Sequence, residues 1–240
     1  MVMGVAYGTT TLHQATKGVV QDGLVLNLDA GVRDSYKGDE SNWYNLKDRS
    51  ISASLINTPS FDKEKGGSIL LDGTNTRARI DNQSIASIGS SNHTISAWIK
   101  NTTNSDEDFV STNVVDGGIL LMVYQNKFRG HIFLRGAVNT NNTIDSPNAI
   151  GTGNWNYLTQ HVDWNDGNIK LFENGSLVKT QSLVGSQPSS TLSIFSIGNR
   201  DGGTGNDFDG NVAIVHVYNR ALTSDEVARN FNATRHRFGI

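Results

Sequence analysis

The chain has five glutamates, Glu40, Glu64, Glu107, Glu173 and Glu226, and no two are near neighbours. Retaining hydrolysis of a glycosidic bond needs two carboxylates held about 5 Å apart, which two glutamates a few residues apart on one strand would provide. That arrangement is absent. A lyase built on Tyr, His and Arg would not need the glutamate pair and stays open on this ground. The six histidines, His13, His93, His131, His161, His216 and His236, lack the i, i+4 spacing of a zinc-binding helix. Each reads as a surface or half-buried strand residue.

Two acidic groups remain. Asp106, Glu107 and Asp108 sit in "NTTNSDEDF", which reads as a solvated loop, since consecutive strand residues point to opposite faces. The stretch "DGGTGNDFDG" brings Asp201, Asp207 and Asp209 among glycines. Hard cations take carboxylate and carbonyl oxygens, so the composition leaves room for a structural calcium, although turn formation is the preferred reading. It also lacks the lysine and following helix of a phosphate loop. Of the four tryptophans, Trp98 lies in an alternating segment opposite Ile95, Ala97 and Ile99. Trp43, Trp155 and Trp164 lie near turns, where structural wedging is commoner than sugar stacking. No residue is assigned as catalytic, cofactor-binding or metal-binding, and no cofactor is expected.

The elements that would position any site are strands. "GLVLNLDAG" alternates with period two, and "GGSILLDG", "ARIDN", "HTISAWIK", "GILLMVY", "KFRGHIFL", "NYLTQHVDW", "NIKLFENGSLV", "LSIFSIGN" and "NVAIVHVY" follow between turn-forming clusters. Asn174-Gly175 supplies the positive φ angles of a two-residue hairpin turn. In "NVAIVHVY", Ala213, Val215 and Val217 share one face while Val212 and Ile214 begin the other, so this strand is expected to be buried on both sides. One helix is expected at the end, with Thr223 as N-cap, Glu226 three residues on, and Val227 and Phe231 one turn apart. The ending "ATRHRFGI" reads as a solvated tail, and residues 1–21 as an extended N-terminal arm. The expected fold is all-β, a two-sheet antiparallel jelly-roll sandwich over 22–240 with that arm and one short C-terminal helix.

Composition narrows the partners. Hydrophobic residues make up 36% and charged residues 18% of 240, with a formal net charge of −3, so polarity comes from Gly, Ser, Thr and Asn as in turn-rich β proteins. With no basic run, nucleic acid is not an expected partner. No stretch is long and apolar enough for a membrane span, and the start lacks the pattern of a signal peptide. There are no cysteines, hence no disulfides or thiolate metal sites.

In order, "GLVLNLDAG", "WYNLKDRS", "GGSILLDGTNTRARI", "HTISAWIK", "IKLFENGSLV", "SIGNR" and "FDGNVAIVHVYNRALTSDEV" resemble the laminin-G-like, concanavalin A-type lectin/glucanase sandwich from Gly23 to Phe238. The version that looks most similar occurs in virion structural proteins of tailed bacteriophages. The resemblance implies a jelly roll whose first and last strands are neighbours. Many relatives carry acidic residues where this chain has Ala213 and Ile214, which weakens any carry-over of a calcium site, and Asp209-Gly210 then reads chiefly as the turn into the last strand.

The expected function is that of a non-enzymatic virion structural protein, a capsid decoration, head fibre or tail component. It would be made in a host cytoplasm, carried on the extracellular particle and assembled as a homo-oligomer with other virion proteins. The alternative is a carbohydrate-binding module for cell-surface or environmental glycans, and behind it stands a glycoside hydrolase or polysaccharide lyase. Fold alone does not choose among them.

Overall fold

The computed structural model describes residues 18–38, 41–112, 117–134, 142–200 and 206–240. Most of the N-terminal arm, together with His13, Glu40 and Asp201, lies outside the described residues. The strands are β1 (Leu24–Asp29), β2 (Asn42–Tyr44), β3 (Ser52–Ile56), β4 (Ser60–Asp62), β5 (Ser68–Asp72), β6 (Arg77–Asp81), β7 (His93–Asn101) and β8 (Glu107–Thr112). They continue as β9 (Ile119–Tyr124), β10 (Lys127–Ile132), β11 (Thr143–Ala149), β12 (Asn156–Asp163), β13 (Asn168–Glu173), β14 (Ser176–Ser182), β15 (Ile194–Ile197) and β16 (Asp209–Tyr218). Besides the expected C-terminal helix α2 (Ser224–Thr234), a one-turn helix α1 (Gln83–Ala86) precedes β7.

Two antiparallel sheets form the sandwich. The first has the order β14-β13-β12-β7-β16-β5-β4, with β1 also paired to β16, and the second has the order β11-β10-β9-β8-β15-β6-β3-β2. The first and last strands are therefore neighbours, as Leu28↔Val215 and Asp29↔Ile214 show. Between the sheets lies the main core, with Leu26, Leu28, Ile95, Ala97, Ile99, Phe109, Leu121, Phe128, Leu171 and Val215 among its buried members.

Local signals behave as their chemistry requires. Asn174 and Gly175 have φ of 49° and 77° and join β13 to β14 through the pair Glu173↔Ser176, the mirror-image turn that matches strand twist. Thr223 accepts the Glu226 N–H and Glu226 accepts the Thr223 N–H, a complete capping box.

Among the described residues five strand pairs shift register, and two of these shifts revise the expected facing of residues. A register shift between Val212 and Ile214 on β16 inserts one residue, so parity changes there. Val212, Val215 and Val217 face the sheet-to-sheet core, whereas Ala213 and Ile214 pack on the outside under the helix. A second shift between Leu24 and Leu26 likewise sends Leu24 outward while Leu26 and Leu28 enter the core. Asp209-Gly210 is not a turn ahead of β16 but its first two residues, paired with Asp72 and Leu71. Gly210 has φ 152°, and a Cβ there would collide with the Lys100 carbonyl, which is why the position takes glycine.

The outer face of the first sheet is covered. Trp98 stacks on Phe238 with ring centroids 4.0 Å apart and on Phe231 at 5.7 Å, and its Nε1 donates to Thr234 Oγ1 at 2.8 Å. The end of the arm joins this layer. Val19 and Val20 are buried, Val20 N donates to Asn230 Oδ1 at 2.8 Å, and Tyr218 Oη donates to the Val20 carbonyl at 3.0 Å. The tail is held as well, contrary to the solvated reading: Arg237 Nη1 reaches Asp29 Oδ1 at 2.5 Å and Arg237 Nε reaches the Lys65 carbonyl at 2.5 Å.

Candidate functional site

The outer face of the second sheet carries no such cover among the described residues. Period-two geometry divides its strands between two environments. Ile119, Leu121, Val123, Phe128, Ile132 and Ile144 enter the core, and the alternate residues line a groove of about 550 Å³ on the other side. Register fixes its rows. His131 lies between Leu120 of β9 and Thr143 of β11, and Arg129 lies between Met122 and Asp145.

The floor is apolar, with Leu120, Met122 and Phe133 buried together and Tyr124 packed at their edge. The Arg129 guanidinium lies 3.5 Å from the centroid of the Tyr124 ring. It also donates to Asp145 in a two-pronged pair, Nε to Oδ1 at 2.6 Å and Nη2 to Oδ2 at 2.8 Å. This hydrogen bonding raises the already high pKa of Arg129. Planar pairs of this kind hold a side chain in one orientation. His131 is 7% exposed, with Nδ1 2.6 Å from Thr143 Oγ1. Burial, reinforced by Arg129 and Arg200, pushes its pKa down to about 4, so the ring is neutral at pH 7. Its Nε2 has no hydrogen-bond partner.

At the far end of the groove stand Asp106, Arg200 and Asn206. Arg200 Nε meets Asp108 Oδ2 at 2.5 Å. Asp108 is buried, and burial pushes its pKa up to about 6 despite the opposing Arg200 charge, with Asp207 and Asp106 adding repulsion. Asp106 and Asn206 also belong to a second, smaller pocket of about 260 Å³, lined by Asp72, Gly73, Thr103, Ser105, Asp106, Glu107, Asn206, Asp207 and Asp209. Burial pushes Glu107 up to about 7, opposed by the Thr103 hydroxyl and the Asp209 N–H and assisted by the Asp209 charge. At Asp72, burial is outweighed by the N–H groups of Thr74, Asn75 and Thr76 and the Thr76 hydroxyl, which hold the carboxyl well below the usual range.

The acidic stretch is a solvated loop only as far as Asp106, which is exposed; Glu107 and Asp108 begin β8 and are buried. A local reading missed this because the partner of Asp108 is 92 residues away. The histidines are corrected too, since His93, His131, His161 and His216 are all buried. All four tryptophans wedge the structure. Trp43 is in the core, Trp164 packs at its edge, and Trp98 and Trp155 lie with Phe238 under the chain end. None lines the groove. Its own chemistry lies in Tyr124, Arg129, His131 and Arg200, of which the sequence reading had weighed only His131. The available signal was the alternation of "LLMVYQNKFRGHIF", whose polar members fall on one face.

Residues 72–228 match the family described as the concanavalin A-like lectin/glucanases superfamily. The chain belongs to that superfamily. Solved structures similar to this superfamily member include a Trypanosoma rangeli sialidase in complex with the inhibitor DANA, at 16% identity and TM-score 0.63, covering 89% of this chain and 33% of that one. The botulinum neurotoxin serotype D binding domain matches at 12% identity and TM-score 0.67, covering 88% and 52%. A structure from a study of how botulinum neurotoxin type C depends on two ganglioside molecules to get into cells matches at 12% identity and TM-score 0.68, covering 88% and 51%. The chain thus spans a third to a half of the structures it matches, and at these identities the likeness is one of fold. A search of curated proteins by sequence returns no match.

Proposed function

We propose that the chain is a non-catalytic carbohydrate-recognition sandwich that binds a glycan in the groove over β9, β10 and β11. One observation carries the reading: the Arg129 guanidinium, stacked on Tyr124 and locked to Asp145, stands beside an apolar floor of Leu120, Met122 and Phe133. Sugars present C–H faces and hydroxyl edges together, and an apolar floor beside fixed planar donors and acceptors suits both. The carboxylates in the groove are already engaged, Asp145 with Arg129 and Asp106 with the Gln125 N–H, which supports binding over acid/base hydrolysis. Ganglioside dependence in a structure of the same fold agrees with a glycan ligand. A glycan array on the intact chain tests this, and no signal for wild type, or an unchanged signal for Arg129→Ala, would overturn it.

The sequence resemblance supports a setting for this activity, a structural protein of a phage particle that forms a homo-oligomer with other virion proteins. Mass spectrometry of purified particles should detect the chain, and its absence removes that part. A second reading has its own observation, that neutral His131 shares the groove with Tyr124 and Arg129. His131 would take the proton α to a uronate carboxylate while the bond from C4 to the glycosidic oxygen breaks and Tyr124 protonates the leaving oxygen. Incubation with acidic polysaccharides that yields no unsaturated product disposes of it.

A further inference from the structure

We infer that the far end of the groove is a pH gate: buried Asp108 holds the Arg200 guanidinium while it carries a charge, and on taking a proton leaves that guanidinium to an anionic group on the ligand. This gate rests on the glycan reading of the groove and narrows its ligand to an acidic glycan.

Among the described residues that line the groove, Arg129 and Arg200 are cationic, and they are held in different ways. Arg129 donates to both oxygens of Asp145, at 2.6 and 2.8 Å, and the Asp145 side chain is 38% exposed, so water still reaches that carboxylate. The Asp108 side chain is fully buried, and that of Arg200 is 27% exposed. Arg200 Nε lies 2.5 Å from Asp108 Oδ2, yet neither atom makes a hydrogen bond of acceptable geometry. The bond from Nη2 to Oδ1 is long, at 3.3 Å. A buried carboxylate without good hydrogen bonds gains too little from its partner to offset its lost hydration. A proton then competes with the guanidinium.

The acidic neighbours favour the proton. Asp106 lies just ahead of β8, and Asp207 comes alongside from the segment that bridges to Asp108; both repel its charge. Across the groove, β9 contributes Tyr124, β10 contributes Arg129 and His131, and β11 contributes Asp145. Burial, with the Arg129 and Arg200 charges, holds His131 at about 4, so the ring stays neutral well above that pH. Burial likewise brings Glu107 to about 7, but this side chain lines the neighbouring pocket with Thr103 and Asp209. For Asp108, burial and the acidic repulsion outweigh Arg200 and set the carboxyl at about 6. A carboxyl raised in this way takes up its proton as pH falls from about 7 to about 5. Arg200 then loses the charge that balances it, and an anion bound there makes the proton harder to lose. Ligand and proton reinforce each other.

The test begins with the intact chain and no glycan. An NMR titration from about pH 8 to about pH 4.5 should show the Asp108 carboxyl changing near pH 6, with the Arg200 Nε–H resonance moving in step. The Arg200 step should vanish in Asp108→Asn and persist in Glu107→Gln, which removes the neighbouring carboxyl. A galacturonate trimer, ionised throughout, is then compared with its uncharged methyl ester. Wild type should bind the acid at least about fivefold more tightly at about pH 5.5 than at about pH 7.5, the lower end of ordinary coupling, with no such gain for the ester. Asp108→Asn should bind the acid equally at both. An Asp108 carboxyl still ionised at about pH 5, an Arg200 resonance that does not follow it, or an ester that gains as much as the acid overturns the gate. Should Asp108→Asn not fold, the wild-type and Glu107→Gln titrations decide. An intact Arg200 step with neither trimer bound supports the gate and counts against the glycan reading alone.

Discussion

On the outer face of the first sheet, Trp98 lies under Phe238 at 4.0 Å and its indole N–H is satisfied by Thr234. On the outer face of the second, Tyr124 carries the guanidinium of Arg129 at 3.5 Å, and His131 Nε2 is left without a hydrogen-bond partner. Both faces are built from aromatic and polar residues on antiparallel strands. They differ in what the described residues lay over them. The helix, the tail and Val19–Val20 consume the first face as structure, so its aromatic residues are covered by the chain itself.

The largest effect expected from breaking this contrast comes from Trp98→Ala. Removing a fully buried indole under the helix should cost about 3–5 kcal/mol, read as a lower midpoint in urea unfolding, while the protein that remains folded still binds glycan. Arg129→Ala should do the reverse. Its pair with Asp145 is partly exposed, so stability should change by less than about 1 kcal/mol, yet glycan affinity measured by titration should fall at least about tenfold, the effect of losing about 1.4 kcal/mol.

Acid sharpens the comparison next. Burial lowers His216, on the covered face, and His131, in the groove, to about 4. A group whose folded pKa is depressed from about 6.5 binds fewer protons when folded. The neutral ring's contribution is therefore complete above about pH 6.5 and is lost as pH falls towards 4. Each histidine adds at most about 1.4 kcal/mol per pH unit to that loss, and urea unfolding of His216→Asn between pH 7 and pH 5 should show a shallower slope than wild type. The smallest effect is that of Thr223→Ala, about 1 kcal/mol for a lost N-cap. A thermal midpoint unmoved by this change would mean that the aromatic stack alone holds the helix.

Legibility followed the range of the interactions. The Asn174-Gly175 turn and the Thr223–Glu226 capping box are complete within a few residues, and both stand where the sequence puts them. The bulges in β1 and β16 were not legible, because a bulge is a mismatch between strands and leaves the alternation of Val212 to Ile214 looking regular. The same limit hid the groove. "LLMVY" and "KFRGHIF" show strands, but only the registers His131↔Leu120 and Arg129↔Asp145 bring their polar members into one cavity. Glu107 and Asp108 misled for a related reason, since carboxylates among Asn, Ser and Thr look solvated until Arg200 and the 206–209 segment close over them.

The position of β16 sets the order in which the molecule can be completed. It follows the other described strands in the chain, yet it lies inside the first sheet, with β7 on one edge and β1 and β5 on the other. Until Tyr218 has left the ribosome, β7 and β1 have no partner between them, and a nascent chain exposes both as open strand edges. Contacts of such sequence separation make folding slow and late. A chain truncated before residue 209 is thus expected to aggregate rather than fold as a smaller sandwich, and fusions that delay release of the C-terminus would lengthen the exposed period.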